Sequence, residues 1–221
     1  MITFESKAEL EVALSLQIAQ DLKRAIDTKG GATLLLSGGS TPSGLYKLLS
    51  NAELNWSLVK IGLVDERFVP LKHPQSNFKL LEETIAKNQA SAASILPMVL
   101  DEKDYKQNLK LIEESYSIFS HPDVALLGMG ADGHTASIFP NDPASLQADQ
   151  QEKYVVSNCY APTEPKQRIT LNGPVLRKAN SLYLMITGTQ KKDILEQSSS
   201  LQLPIASFLS SITNIYYSSA S

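Results

Sequence analysis

Three short, largely apolar runs, each cut off by a glycine- or charge-rich turn and then followed by helical spacing, constrain the fold of this chain more than any other feature. Thr33-Leu34-Leu35-Leu36 runs into Ser37-Gly38-Gly39-Ser40-Thr41-Pro42, Lys60-Ile61-Gly62-Leu63-Val64 into Asp65-Glu66-Arg67, and Val124-Ala125-Leu126-Leu127 into Gly128-Met129-Gly130-Ala131-Asp132-Gly133-His134. Short apolar runs that do not alternate with polar residues suit strands covered on both faces. Helical periodicity lies between them. Ala8, Val12, Leu16, Ala19, Leu22 and Ile26 predict a helix over 7–28, stopped by Gly30-Gly31. Pro42 suits the first turn of a helix that runs through Leu45, Leu48 and Leu49.

Further helices are expected near 77–87, 102–118, 172–179 and 190–198, and further strands near 154–156, 182–186 and 214–217. This alternation predicts an α/β fold, a three-layer sandwich with a mostly parallel, Rossmann-like sheet flanked by helices, with residues 1–221 as a single domain. In such a sheet the three turns share the carboxyl edge, which makes three distant segments one candidate pocket.

Each turn carries its own chemistry. Between a strand and a helix N-terminus, Gly38 and Gly39 free backbone N–H groups to approach a ligand, and Ser37, Ser40 and Thr41 add hydroxyls, so this turn reads either as a phosphate cradle or as a plain capped turn. It has neither the spacing of a Walker loop nor that of a nucleophile elbow. Arg67 could grip a phosphate or polarise an oxygen, and Asp65 could orient a histidine or bind a sugar hydroxyl; the alternative is a solvated charge cluster at a strand end. Gly128 to Gly133 formally match G-x-G-x-x-G. A dinucleotide fits poorly there, because Asp132 would stand beside a pyrophosphate and no acid ends the next strand to hold a ribose. His134 at the tip of this turn is the natural proton carrier.

Composition narrows the classes. With 19% charged residues and a net charge of −3, the chain has no basic field for a nucleic acid or a membrane surface, although a few converging cations suffice for a small anion. Its one cysteine, Cys159, allows no internal disulfide and reads as a buried small side chain in a reducing compartment. His73 and His121 precede prolines and are expected in loops, so no metal-ligand spacing emerges. The N-terminus shows no leader pattern and no stretch is long and apolar enough to span a membrane, which points to a cytoplasmic protein, a monomer or a weak homo-oligomer.

Taken in order, Leu36–Pro42, Val64–Pro70, Ser76-Asn77-Phe78, Leu127–Pro140, Arg168-Ile169-Thr170-Leu171, Gly188-Thr189-Gln190-Lys191 and Leu203-Pro204-Ile205 resemble the glucosamine-6-phosphate isomerase/6-phosphogluconolactonase superfamily over nearly the whole chain. The resemblance to its lactonase branch implies hydrolysis of 6-phospho-D-glucono-1,5-lactone to 6-phosphogluconate, in the oxidative pentose phosphate pathway, with no metal or nucleotide cofactor. It implies His134 as the general base on water and Asp132 as the group that holds or tunes it. Arg67, Arg168, Lys191 and the 37–41 turn become candidates for phosphate and oxyanion contacts. The isomerase branch carries a carboxylate before the proline, where this chain has Phe139 before Pro140. Such a phenyl ring cannot shuttle a proton, which speaks against isomerisation. A sugar-phosphate-sensing regulator would need a DNA-binding module, and the helix at 7–28 leaves no room for one. The loop after Arg67 departs from the family in carrying Lys72 and Gln75 around His73-Pro74.

Overall fold

The computed structural model describes residues 1–220. Along them run β1 (Ile2–Phe4), α1 (Lys7–Lys29), β2 (Ala32–Leu36), α2 (Ser43–Leu49), β3 (Val59–Leu63), β4 (Asp65–Arg67), α3 (Asn77–Glu83), β5 (Ser94–Ile95), α4 (Tyr105–Ser115), β6 (Val124–Leu127), α5 (Pro143–Gln150), β7 (Val156–Tyr160), β8 (Gln167–Leu171), α6 (Gly173–Arg177), β9 (Ser181–Thr187), α7 (Thr189–Gln197) and β10 (Asn214–Ser218). Seven strands form one sheet in the order β1-β10-β9-β6-β2-β3-β5, and every pairing in it is parallel. The expected α/β architecture with a mostly parallel sheet flanked by helices is therefore present. Its central strands are buried almost throughout, including all of β6, as strands covered on both faces must be. Each fully buried leucine there contributes about 1.5–3 kcal/mol relative to exposure.

The long first helix has the predicted extent, but its predicted face meets the core only from Ala19 onward, through Ala19, Leu22 and Ile26. Ser6 caps it by accepting the Glu9 N–H at 3.2 Å, and Gly30 ends it. Its buried stripe is Leu10, Leu14, Ile18, Leu22 and Ala25, while Val12 and Leu16 are 47% and 60% exposed. Two apolar stripes compete on this helix, and the one with a large aliphatic residue at every fourth position buries more surface. Helix α5 and strand β8 have no counterpart among the predicted elements. The start of α5 follows from local chemistry, because Asp142 accepts the Ser145 N–H at 3.0 Å and Pro143 fills the first turn.

The larger difference is a second sheet, antiparallel, in the order β4-β8-β7. Val64 joins the two sheets. Its N–H donates to Leu36 of the parallel sheet at 3.0 Å, and its carbonyl accepts the Leu171 N–H at 2.9 Å. Asp65-Glu66-Arg67 is thus neither a turn nor a solvated cluster but a strand, with Glu66 fully buried. The Glu66 carboxylate accepts the N–H groups of Arg67 and Asn77, each at 2.7 Å, the Phe78 N–H at 2.8 Å and the Ser76 hydroxyl at 3.1 Å. Burial pushes this carboxyl up to about 7 against the pull of those donors. Cys159 is buried as expected, and burial pushes its thiol up to about 12, which makes it a poor nucleophile.

Candidate active site

Strand β2 continues through α2 to β3 on one side, whereas β6 lies on its other side. The chain order therefore reverses between β2 and β6, and a crevice opens at the carboxyl ends of strands beside such a switch. A cleft of about 490 Å³ lies there, lined by the turns that leave β2 and β6, by β4 and β8, by residues 161–163 after β7, and by Met185 of β9 and Lys191 of α7. Of the residues singled out from sequence, Ser37, Gly38, Gly39, Thr41, Asp65, Arg67, Asp132, His134, Arg168 and Lys191 all line it. Ser40 does not; it is exposed at the outer corner of its turn. Asn77, Phe139 and Thr163 also line the cleft. Asn77 stood in a segment read only for resemblance, and no local signal gave it a role.

His134 and Asp132 form a pair. The imidazole Nδ1 lies 2.5 Å from Asp132 Oδ1, and the same oxygen accepts the His134 backbone N–H at 3.1 Å. Burial works to raise the Asp132 carboxyl, but the hydrogen bond and charge of His134 outweigh it, so the group sits below its ordinary range and is ionised near neutrality. An ionised Asp132 keeps the proton on Nδ1 and leaves Nε2 as the basic nitrogen. The turn itself closes through Gly130 N–H to His134 O at 2.9 Å and Thr135 hydroxyl to Gly128 O at 2.8 Å. Gly130 is a steric requirement: a Cβ there would lie 2.2 Å from the imidazole. On another side the Phe139 ring stands 4.7 Å from the imidazole, centroid to centroid, at 43°.

Asp65 does not orient the histidine, since Asp132 has that place. Instead, Asp65 Oδ2 accepts the Ser137 hydroxyl at 2.5 Å, which ties β4 to the segment after the histidine turn.

The cations are gathered without carboxylate partners. Arg67 and Arg168 face one another across the β4–β8 pairing. Arg67 donates from Nη1 to the Gln75 carbonyl at 2.6 Å, and its buried Nε has no partner. Arg168 donates from Nε to the Pro165 carbonyl at 2.8 Å, and burial, then the neighbouring Arg67, push its guanidinium below the ordinary value. Burial does the same to the Lys191 ammonium. None of the three makes an ion pair among the described residues. Two like charges set opposite each other on adjacent strands are unfavourable until an anion joins them.

A profile of the family described as glucosamine-6-phosphate isomerases/6-phosphogluconolactonase matches residues 5–215. The chain belongs to this family. It is 37% identical over 197 residues to the 6-phosphogluconolactonase of Neisseria meningitidis serogroup A, covering 88% of this chain and 85% of that one. The 6-phosphogluconolactonase of Rhizobium meliloti is 34% identical over 215 residues, covering 95% and 93%. Among solved structures, a 6-phosphogluconolactonase from Shewanella baltica superposes with a TM-score of 0.91 at 32% identity, over 99% of this chain and 96% of that one. The family description names two activities, and Phe139 lies in the cleft against the histidine. Among the described residues no helix is long and apolar enough to cross a membrane.

Proposed function

We propose that this protein hydrolyses 6-phospho-D-glucono-1,5-lactone to 6-phospho-D-gluconate, with His134 as general base. The observation that carries the reading is one cleft holding a His134–Asp132 pair beside three unpaired cations, with Phe139 in place of a second proton carrier. A six-membered lactone is already reactive, so an oriented water, a base and oxyanion donors are sufficient. Nε2 of His134 takes a proton from water as the water oxygen bonds to the C1 carbonyl carbon. Arg67, Arg168, Lys191 and the N–H groups of the 37–41 turn divide the phosphate and the developing alkoxide between them. When the alkoxide collapses, the C1–ring oxygen bond breaks and the imidazolium returns its proton to that oxygen. Every step is a proton transfer or an acyl substitution, so the reaction needs no metal or nucleotide. The phosphate anchors the ring remotely, which places the carbonyl against the water.

Oxidising glucose 6-phosphate enzymatically and trapping the remaining lactone with hydroxylamine tests the reading. The protein is expected to remove lactone well above the spontaneous rate and to release no ammonia from glucosamine 6-phosphate. A rate equal to buffer alone sinks the proposal, and ammonia release would move the chain to the isomerase branch.

Gly130 gives a sharper local test. Gly130→Ala forces a Cβ into the imidazole and displaces the base by a fraction of an ångström to about 1 Å. A misplacement of that size costs about 10²-fold in kcat. Circular dichroism should show the fold unchanged, because Gly130 and the imidazole it meets are only partly buried; a full rate would show that the ring position is not critical.

A further inference from the structure

We infer that Asn77 is a specificity-determining residue, whose side-chain carbonyl, beside Asp65, reads a hydroxyl of the sugar ring. The inference rests on the lactonase reading and adds to it the recognition of the polyol. Most of the polar lining of the cleft donates: two guanidiniums, an ammonium and the N–H groups of the 37–41 turn. Such groups serve a phosphate and an oxyanion but do nothing for a hydroxyl proton. Acceptors lie at two places, the Asp132 carboxylate that holds His134 and a corner made by Asn77 and Asp65. Asn77 is 2% exposed yet lines the cleft, and its Nδ2 donates to the Asp65 carbonyl at 2.9 Å. That bond fixes the amide orientation and turns Oδ1 toward Gly38, where an added Cβ would lie 1.9 Å away. Among the described residues no protein donor reaches Asn77 Oδ1, nor Asp65 Oδ1, whose sister oxygen is occupied by Ser137.

Both residues line the cleft, so these two acceptor oxygens are free to take hydrogen bonds from a ligand that donates. A polyhydroxylated lactone does so, and neither its phosphate nor its carbonyl can. The amide is rigidly held, because the Asn77 backbone N–H is bound by the buried Glu66 carboxylate at 2.7 Å. Glu66 thereby sets β4 and the start of α3 together, with Asp65 and Arg67 on either side of it in the strand.

The test compares 6-phosphogluconolactone with its 2-deoxy analogue and its C4 epimer, each made by oxidising the corresponding sugar phosphate. A site built around a substrate hydroxyl rejects an analogue that lacks it. The wild type should favour the parent lactone over at least one analogue by about 10-fold or more in kcat/KM. Asn77→Ala should lose about 10-fold on the parent and bring that discrimination to within about 2-fold. Thermal melts confirm that Asn77→Ala folds. A wild type without discrimination, or an equal loss on all three lactones in Asn77→Ala, would overturn the assignment. Calorimetric titration with 6-phosphogluconate and 6-phosphogalactonate separates this inference from the reaction itself. If the wild type hydrolyses no lactone above the buffer rate, the functional reading fails. The hydroxyl corner then stands only if the binding preference exists and is lost in Asn77→Ala.

Discussion

His134→Gln is expected to lower kcat by about 10²–10⁴-fold, the usual contribution of a positioned general base, with little change in KM. Glutamine fills similar space against Phe139 and the Gly130 backbone but cannot take a proton from water. The phosphate and oxyanion contacts come from other strands, so ground-state binding survives. Asp132→Asn should be nearly as severe for a different reason. An amide can donate to Nδ1 and so move the imidazole proton to Nε2, the nitrogen that must be free. Stability carries a signature of the same pair. The Asp132 carboxyl is held below its ordinary range, so the folded state favours the ionised form. The contribution of the pair is therefore present above the ordinary carboxylate range and is lost as the pH falls through the lowered value. Denaturant titrations at several pH values should show that acid loss in the wild type and not in Asp132→Asn. Full activity in His134→Gln would contradict the mechanism outright.

Arg168→Met is the second large effect, with opposite signs for function and stability. A charge-assisted hydrogen bond to a phosphate or oxyanion contributes about 2–3 kcal/mol, so kcat/KM should fall about 30–100-fold. In the ligand-free protein, however, Arg168 is 8% exposed, faces Arg67 across the strand pairing and has no carboxylate partner. Its desolvation is offset in part by the Pro165 carbonyl, by the Phe139 ring, 5.9 Å from the guanidinium carbon, and by the more distant charges of Asp65 and Glu66. Methionine keeps most of the apolar stem without the charge. The ligand-free melting temperature should hold or rise by about 2–4 °C, equivalent to about 1 kcal/mol in a chain of this size. Inorganic phosphate should then raise the melting temperature of the wild type and not of the variant. A lower melting temperature with unchanged kinetics would make Arg168 a structural residue only.

The parts of the fold that could be read from sequence are those whose burial is local. Strands β2, β6 and β9 announce themselves because a strand covered on both faces needs an unbroken apolar run. The three turns that build the cleft follow from them, since parallel strands put their ends on one edge. The face of α1 was misread because two apolar stripes share the helix and only the opposing sheet chooses between them. Asp65-Glu66-Arg67 looked solvated because its compensation is not local. What buries Glu66 is a set of donors from Ser76, Asn77 and Phe78, about ten residues downstream. The same distance hid Asn77, whose side chain matters only once β4 lies beside the start of α3. Strand β8 was within reach, since Arg168 to Leu171 alternates polar and apolar residues, yet it was read only as a source of Arg168. Ser40 shows the opposite error, a residue with the right hydroxyl that its turn directs to solvent.

The most direct test of attack by water on the lactone carbonyl, without a covalent intermediate, is a single turnover in H₂¹⁸O with enzyme in excess over lactone. One ¹⁸O is expected in the C1 carboxylate of the 6-phosphogluconate formed in that first turnover, and none in the C5 hydroxyl. An unlabelled product would mean that the oxygen came from a protein carboxylate, such as Asp65 or Asp132, through a covalent intermediate, and would contradict the mechanism.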